Sequence, residues 1–159
     1  MKVKAVGAHT FDAILFAAHE TKPRIVKIPW KLFPGNEEER NPYQELDTEV
    51  WFKPPPYSDV RQLDFRRWGF FGPELGRGLC FLYDDDFLIN GSPLNRCIVD
   101  ATGGRATHRW SGNILGLRLK EFSHDFYANV DMEEDLKPFV TYFEGYNIPV
   151  EPWLSSILE

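Results

Sequence analysis

The segment Gly103–Trp110 brings together the residue types in this 159-residue chain that are best suited to binding an anion. It opens with two glycines and then carries Arg105, His108 and Arg109. Backbone amides and two guanidinium groups can bind a carboxylate or phosphate, and His108 can carry a proton. The glycine spacing is not that of a phosphate-binding loop, and the predicted helix before it turns its negative end toward the segment. We therefore predict a helix C-cap followed by a basic loop, with Arg105, Arg109 and Trp110 as candidate ligand-binding residues.

Four histidines and two cysteines are the other groups with chemistry near neutral pH. The histidines show neither the HxxxH nor the HxxE spacing that places two metal ligands on one helix face. His108 and His124 are the candidates for an acid–base role. His108 could form a Cys–His pair with Cys97, and His124 with Cys80, only if the fold brings these distant residues together. Both cysteines lie among apolar neighbours, so we predict two reduced thiols in the core.

Three consecutive aspartates, Asp84–Asp86, follow a predicted apolar strand. Carboxylates at the end of a strand can hold a hard cation through oxygen ligands. The ligands of an EF-hand loop, however, alternate over about twelve residues, and this triplet does not have that spacing. The sequence therefore predicts an exposed turn here, and it predicts no metal and no cofactor for the chain.

The tetrapeptide Pro54–Tyr57 matches the short PPxY sequence that WW domains bind. Consecutive prolines favour the extended polyproline II helix, which an aromatic-lined groove accepts at low entropic cost. The match is short, and it requires that Tyr57 be exposed. Packing of Trp51 and Phe52 would instead bury the segment against the sheet. The sequence leaves both alternatives open.

Arginine stands next to tryptophan in the segment Arg66–Trp68. A guanidinium beside an indole can stack on an aromatic ligand or on a base. The alternative is a buried Trp68 with its arginines in water. We include Arg67 and Trp68, together with Trp51 and Tyr57, among the candidate binding residues.

The formal net charge is −6, and aromatic residues make up 15% of the chain. An acidic protein lacks the basic face that general nucleic-acid binding requires, so we exclude that class. The aromatic content excludes a disordered chain. No apolar run approaches the ~20 residues of a membrane span or has the form of a signal peptide, so we predict a cytoplasmic protein with no membrane contact. Residues 101–120 carry basic groups and no acidic ones, and 121–159 are strongly acidic; pairing between the two within the fold is the simpler interpretation.

The first half of the chain predicts a hairpin followed by a long irregular connection. Apolar and β-branched runs flank the turn residues Glu20–Pro23, so 13–30 is predicted to fold as two strands, with a helix over 11–20 as the alternative. Pro29 favours an edge position for the second strand. Residues 33–78 are rich in aromatic residues and proline and show little regular pattern, apart from a candidate strand over 48–52.

The second half predicts three strands and a first helix. The strands are predicted over 79–83, 113–120 and 126–130. Ser92 as N-cap and Pro93 as the first helical residue predict a helix over about 93–102, which Gly103 ends.

A second helix is predicted near the end of the chain. Asp131 and Glu134 have the spacing of a capping box. Because Pro138 would break an interior turn, the regular helix is predicted over about 135–144, with this proline in its first turn. Residues 147–159 are predicted to form an irregular tail.

Together these patterns predict an α+β fold, a single domain over residues 1–159 in which two short helices cover a mainly antiparallel sheet. The aromatic residues exceed the evident need of the core. We therefore predict a domain that binds a protein partner or a small molecule through an aromatic- and arginine-rich surface.

Two alternatives to this binding domain remain. One is a small enzyme with an aromatic-lined pocket, in which His108 or His124 acts as acid and base. In that enzyme Arg105 or Arg109 would hold an anion. The other is a homo-oligomer that buries its aromatic residues on assembly.

Overall fold

The computed structural model describes residues 9–35, 42–53, 57–64, 78–86, 91–106, 109–120 and 126–145. Within these ranges seven strands form one antiparallel sheet: β1 (His9–Phe16), β2 (Arg24–Phe33), β3 (Tyr43–Leu46), β4 (Val60–Asp64), β5 (Leu79–Asp84), β6 (Ile114–Leu119) and β7 (Tyr127–Ala128). The strands lie in the order β3-β2-β1-β6-β5-β4, and β7 pairs with β6. Two helices, α1 (Arg96–Ala101) and α2 (Met132–Gly145), accompany the sheet. This arrangement confirms the predicted α+β class and the antiparallel sheet. No helix in the described ranges has the length and apolar composition needed to cross a membrane.

The N-terminal hairpin forms as predicted, and the alternative helix over 11–20 is wrong. β1 and β2 pair in an antiparallel register that places His9 opposite Trp30. An ion pair of 2.8 Å joins Glu20 and Arg24 where the chain turns back.

Pro29 does not mark an edge strand, because β2 lies between β1 and β3. The N–H and C=O groups of one strand residue point to the same side of the strand. The carbonyl of Pro29 accepts a hydrogen bond from the N–H of Asp47 (2.9 Å), just beyond the last β2–β3 register pair, Trp30 with Leu46. The missing N–H of Pro29 therefore faces the end of β3, and the ladder between β1 and β2 loses no donor.

Both faces of the sheet are buried near its centre, because successive strand residues point to opposite sides. In β1, Leu15 lies on one face and Ile14 and Phe16 on the other, and each is at most 1% exposed. The first face carries the sheet-side core, formed by Phe11, Ala13, Leu15, Ala17, Val26, Ile28, Phe52, Cys80, Leu82, Leu115, Leu117, Leu119 and Tyr127. The second face carries the helix-side core, formed by Ile14, Phe16, Leu79, Phe81, Cys97, Ile98, Ile114, Val130, Phe139, Tyr142 and Phe143. Both helices thus pack on the second face, as the predicted layer arrangement requires.

The sheet curls so that its two end strands reach the same residue of β7. The N–H of Tyr127 donates to the side-chain oxygen of Gln44 in β3 (2.5 Å), and its hydroxyl donates to the side-chain oxygen of Gln62 in β4 (2.5 Å). Its ring also stacks on Phe11 in β1, with the ring centroids 5.1 Å apart. Tyr127 therefore connects both ends of the sheet from within the sheet-side core.

The sheet consists of two meanders joined along one seam. Strands β1, β2 and β3 are neighbours both in sequence and in the sheet, and so are β4, β5 and β6. The seam between β1 and β6 pairs Ile14 with Gly116, Leu15 with Leu115 and Phe16 with Ile114. The two halves of the sheet therefore meet along a short stretch of main-chain hydrogen bonds.

Helix α1 begins at Arg96 rather than at Pro93, so the predicted N-cap, Ser92, is wrong. The side-chain oxygen of Asn95 accepts a hydrogen bond from the N–H of Ile98 (2.9 Å) and caps the helix. An asparagine is as good an N-cap as a serine, so local preference alone does not separate the two positions.

Tertiary contacts decide where α1 begins. The side chain of Asn95 is 0% exposed, and its amide donates to the carbonyls of Phe16 (2.8 Å) and Gly112 (2.7 Å). Asn95 thus ties the end of β1 and the approach to β6 to the start of the helix. These bonds fix the cap three residues after the predicted one.

The C-terminal end of α1 confirms the prediction for Gly103. Its φ is +61°, a left-handed conformation that glycine adopts without strain. The N–H of Gly103 bonds to the carbonyl of Asp100 (3.1 Å), and that of Gly104 to the carbonyl of Val99 (2.8 Å). This pair of bonds is the Schellman motif, which satisfies the last carbonyls of the helix.

Helix α2 begins at Met132, three residues before the predicted start. The side chain of Asp131 accepts a hydrogen bond from the N–H of Glu133 (3.0 Å) and caps the helix. The N–H of Asp131 donates to the side chain of Asp135 (2.8 Å). Asp135 therefore takes the reciprocal role in the cap that the sequence predicts for Glu134.

Helix α2 also continues through Pro138 rather than starting near it. A proline inside a helix costs roughly 3 kcal/mol. Phe139, Tyr142 and Phe143 follow it and are at most 3% exposed, and burying one such ring contributes about 1.5–3 kcal/mol. The three rings together outweigh the cost of the proline. Phe139 packs so tightly on β6 that a Cβ at Gly116 would lie 2.8 Å from its Cζ.

An ion pair fastens α2 to β6. The guanidinium of Arg118 binds both carboxylate oxygens of Asp135, whose side chain is 1% exposed, while that of Arg118 is 35% exposed. The carboxylate raises the pKa of Arg118 through this hydrogen bond. Arg105 forms a second ion pair with Glu144 in α2 (2.5 Å). Basic residues of 101–120 thus pair with the acidic C-terminal helix, in agreement with the simpler interpretation of the charge pattern.

Candidate binding surface

Residues 48–52 form a helical turn, so the predicted strand there is wrong. The N–H groups of Trp51 and Phe52 both donate to the carbonyl of Thr48 (3.0 Å each). Phe52 is 6% exposed and belongs to the sheet-side core. The side chain of Asn113 donates to the carbonyl of Trp51 (2.9 Å). These contacts hold Trp51 half-buried at the end of the sheet where β6 begins.

Trp51 lines a cleft of about 160 Å³, which we name the Trp51 cleft. The cleft is lined by Ala18, His19, Trp51, Phe52, Lys53, Asp84, Gly91, Ser92, Pro93, Gly112 and Asn113. An imidazole, an ammonium, a carboxylate and a hydroxyl therefore share one concave site, from His19, Lys53, Asp84 and Ser92 respectively. Sites for drug-sized ligands have volumes of about 300–1,000 Å³, so this cleft accepts a small chemical group or one side chain.

The Asp84–Asp86 triplet forms the predicted turn, but its first side chain is buried rather than exposed. Asp84 is 6% exposed, and one of its carboxylate oxygens accepts hydrogen bonds from the N–H groups of Asp59 and Asp86 (2.9 Å each). Asp85 is exposed and lies 3.5 Å from Arg61, which also pairs with Asp59. These bonds give the triplet a role in shaping the turn. Across the parts of the chain that the structure describes, no three His, Cys, Asp or Glu side chains are grouped to hold a metal ion.

Tyr57 stands out from an anchored stretch of chain. It is 65% exposed, whereas Phe52 and Ser58 on either side are each 6% exposed. The hydroxyl of Ser58 donates to the carbonyl of Lys53, so the two ends of this stretch are bonded to each other. Pro54–Pro56 lie outside the described residues. Exposure of Tyr57 meets the condition under which the tetrapeptide can act as a ligand.

The basic segment before β6 divides between the core and the surface. The ring of Trp110 packs in the helix-side core, with its centroid 5.5 Å from that of Phe81 and 5.2 Å from that of Phe143. Arg105, which pairs with α2, and Arg109 are exposed. The segment therefore has one arginine, Arg105, in an ion pair with α2, a second, Arg109, exposed, and a half-buried indole against the helix-side core.

Four of the predicted residues lie outside the described ranges: Arg67, Trp68, His108 and His124. Their assignment to a binding surface or to acid–base chemistry stays a prediction. Trp51 and Tyr57 lie six residues apart in the sequence, and Arg105, Arg109 and Trp110 lie in a different segment.

The two cysteines are free and buried, as predicted. They lie on opposite faces of the sheet, with Cys80 in the sheet-side core and Cys97 in the helix-side core, so they cannot pair with each other. Burial raises the pKa of the Cys97 thiol to about 11. Cys97 is therefore a neutral thiol at pH 7 and not an activated nucleophile.

A second cleft, of about 580 Å³, lies at the opposite end of β1. We name it the Trp30 cleft. It is lined by His9, Pro29, Trp30, Lys31, Glu45, Leu46, Asp47, Thr48 and Glu49. The rings of His9 and Trp30 stack in it, with centroids 4.6 Å apart and planes at 22°.

Sequence reasoning missed this stack because it set the hairpin turn too late. The register centres the turn between His19 and Glu20, whereas the turn residues Glu20–Pro23 predict a centre two residues further on. Moving the turn to its observed position pairs His9 with Trp30. Ser92 was missed as a cleft residue because its preference for an N-cap gave it a different assignment.

Comparisons with known proteins add no family to this description. No family model, no curated protein and no solved structure matches the chain.

Proposed function

We propose that this protein is an interaction domain that binds a protein partner through the surface carrying Trp51 and Tyr57. The observation that carries the proposal is the exposure of Tyr57, 65%, next to Ser58, which is 6% exposed and bonded back to the carbonyl of Lys53. Tyrosine and tryptophan are the side chains that most often supply the energy of an interface, because they bury a large area with few rotatable bonds. Anchoring of the chain on both sides of Tyr57 lowers the entropy that binding would cost.

The residues before Tyr57 suggest the chemistry of the partner. Pro54–Tyr57 has the PPxY pattern, and such segments dock in grooves lined by aromatic side chains. We propose a partner with a polyproline-binding groove of the WW type. Trp51, held half-buried beside this stretch, would widen the contact beyond the tetrapeptide.

The test is to titrate the full-length protein into each member of a panel of purified WW domains and to measure binding by isothermal titration calorimetry. Tyr57→Ala is expected to weaken binding at least about tenfold, the loss typical of an interface hot spot. Val50→Ala is the matched control, because Val50 is 80% exposed in the neighbouring turn and lies outside the tetrapeptide. Binding that is absent from the whole panel, or equal for wild type and Tyr57→Ala, would refute the proposal.

The proposal takes the whole chain as one cytoplasmic domain that acts as a monomer. Its support is the composition, since the chain is long enough for one core and has no strongly apolar run. Light scattering at several concentrations tests the alternative of a homo-oligomer, which predicts a mass that rises with concentration.

A small hydrolytic enzyme is the second candidate function. The observation that favours it is that His19, Asp84 and Ser92 all line the Trp51 cleft. A hydroxyl, an imidazole and a carboxylate are the groups that nucleophilic acyl transfer uses. This candidate moves the acid–base role from His108 or His124 to His19, and Lys53 replaces arginine as the cation in the site.

Hydrolysis of p-nitrophenyl acetate tests the enzyme. Ser92→Ala and His19→Ala are each expected to lower the rate at least about a hundredfold, the usual contribution of a nucleophile or general base. Thr21→Ala, an exposed hydroxyl in the neighbouring turn, is the matched control. Equal rates for the wild type and all three variants would exclude the hydrolase.

A further inference from the structure

We propose that the Trp30 cleft binds an organic cation, an alkylguanidinium or alkylammonium group carried on an apolar stem. The Trp30 cleft contains His9 at the start of β1, whereas the Trp51 cleft lies beyond the other end of that strand. Residues Thr48 and Glu49 of the Trp30 cleft belong to the helical turn that also carries Trp51, but neither Trp51 nor Tyr57 lines this cleft. Its volume of about 580 Å³ falls within the range of small-molecule sites.

One wall of the cleft is aromatic. His9 and Trp30 are register partners across β1 and β2, and their rings stack at 4.6 Å. Trp30 also packs against the sheet-side core, and its next register partner, Leu46, adds an apolar surface from β3. An indole attracts cations through its quadrupole, and a planar guanidinium can in addition stack on it.

An acidic turn, held in place by main-chain bonds, also lines the cleft. The N–H of Asp47 donates to the carbonyl of Pro29 (2.9 Å), which fastens the turn to β2. The N–H of Glu49 donates to the side chain of Asp47 (3.3 Å). The carbonyl of Thr48 accepts two further N–H groups, so the turn is shaped before any ligand binds.

The charge in the cleft selects the sign of the ligand. Three acidic residues, Glu45, Asp47 and Glu49, and one lysine, Lys31, line it. Lys31 and Glu45 are next to Trp30 and Leu46 in their strands, so their side chains project from the other face of the sheet, where they lie 3.5 Å apart and are 79% and 48% exposed. Solvent screens this pair, and Asp47 and Glu49 supply the excess of negative charge. The remaining excess of negative charge beside an indole favours an organic cation over an anion or a neutral ligand.

An alkylguanidinium can come from two sources, a free metabolite or an arginine side chain of a peptide. Butylguanidinium represents the first source, and the peptide acetyl-Gly-Arg-Gly-amide represents the second. Butylurea is the matched neutral probe, since it has nearly the same shape without the charge. Binding of each probe to the full-length protein is measured by calorimetry, and the indole N–H resonances in an NMR titration report whether Trp30 is contacted.

Two variants that should change the affinity for the cation in opposite directions make the test specific. Glu49→Gln is expected to weaken the binding of butylguanidinium about two- to fivefold, because it removes an attractive charge. Lys31→Gln is expected to tighten it by a similar factor, because it removes the competing cation. Glu133→Gln, at an exposed glutamate on α2, is the control that should leave the affinity unchanged.

Opposite shifts for Glu49→Gln and Lys31→Gln, with no binding of butylurea, would support the cation site whichever source binds more tightly. Tighter binding of the arginine peptide would identify a protein source, and tighter binding of butylguanidinium a free small molecule. Equal affinity for butylurea, no binding of either cation, or weaker binding by Lys31→Gln would overturn the proposal. None of these results depends on whether a WW domain binds at Tyr57.

Discussion

Replacing Asn95 should destabilise the fold far more than the loss of one helix cap. Its side chain is completely buried, caps α1 through the N–H of Ile98, and donates to the carbonyls of Phe16 and Gly112. Losing an N-cap costs about 1 kcal/mol. Leaving each buried carbonyl without its donor costs about 1–2 kcal/mol more. Asn95→Ala should therefore lower the free energy of unfolding by about 3–5 kcal/mol.

Asn95→Ser separates the two contributions. Serine is about as good an N-cap as asparagine, so this variant keeps the cap, but its shorter side chain cannot reach both carbonyls. It should lose about 2–4 kcal/mol, roughly 1 kcal/mol less than Asn95→Ala. Asn129→Ala is the matched control, because Asn129 is exposed and its side chain accepts a single hydrogen bond, from the N–H of Asp12 (2.8 Å). That variant should lose no more than about 1 kcal/mol.

Urea unfolding followed by tryptophan fluorescence measures these differences, with the free energy in water obtained by linear extrapolation. If Asn95→Ser is as stable as the wild type, the bonds to Phe16 and Gly112 contribute nothing and the reasoning fails. A loss of only about 1 kcal/mol in Asn95→Ala would lead to the same conclusion.

Three further predictions concern packing, charge and pH. Gly116→Ala should lower the free energy of unfolding, measured in urea, by about 1–3 kcal/mol, because the new Cβ would lie 2.8 Å from Phe139. Introducing Gly116→Ala into a Phe139→Leu protein should cost less. No loss in Gly116→Ala alone would show that α2 shifts freely to make room. Arg118→Met should lower the free energy of unfolding by about 3–5 kcal/mol, because it leaves the carboxylate of Asp135, which is 1% exposed, without its cation. Asp135→Asn should lower it by less. A larger loss in Asp135→Asn than in Arg118→Met would contradict the burial of this carboxylate. Burial raises the pKa of the Cys97 thiol from 9.0 to about 11, so the folded protein holds this proton up to a higher pH than the unfolded chain does. The free energy of unfolding should therefore fall between about pH 9 and 11 in urea titrations, and Cys97→Ala should show less of this fall; an unchanged fall would rule out that origin.

The elements that were predicted correctly depend on contacts close in sequence. The hairpin, the strand before the acidic triplet and the end of α1 at Gly103 each follow from residue preferences within a few positions. The charge pattern also predicted pairing between the basic segment 101–120 and the acidic segment after it, and the ion pairs of Arg105 and Arg118 with α2 are of this kind. In each case the deciding interaction is either local or follows from a large imbalance of charge.

The predictions that failed depend on contacts that are distant in sequence. Ser92 and Pro93 are good local signals for a helix start, yet the partners of Asn95 lie in β1 and beside β6. The helix-breaking preference of Pro138 is overcome by rings that become buried only when the sheet exists. Pro29 fits an interior strand because β3 ends beside it.

The candidate sites were only partly accessible from the sequence. Trp51 and Tyr57 were identified as aromatic residues near prolines, but their exposure depends on anchors at Phe52 and Ser58 that composition does not reveal. Neither cleft has a sequence motif, because each combines residues from at least three separate segments.

The seam between the two meanders has a consequence for synthesis of the protein in the cell. Phe16 pairs with Ile114, and about a hundred residues of chain separate them, so the ribosome takes about 5–20 s to supply the partner strand. The first meander is complete once Leu46 has been made, and for the rest of this interval the edge of β1 that pairs with β6 has no neighbour. An unprotected strand edge invites pairing with another nascent copy. Slow translation between the two meanders should therefore favour aggregation, and chaperone binding at β1 should prevent it.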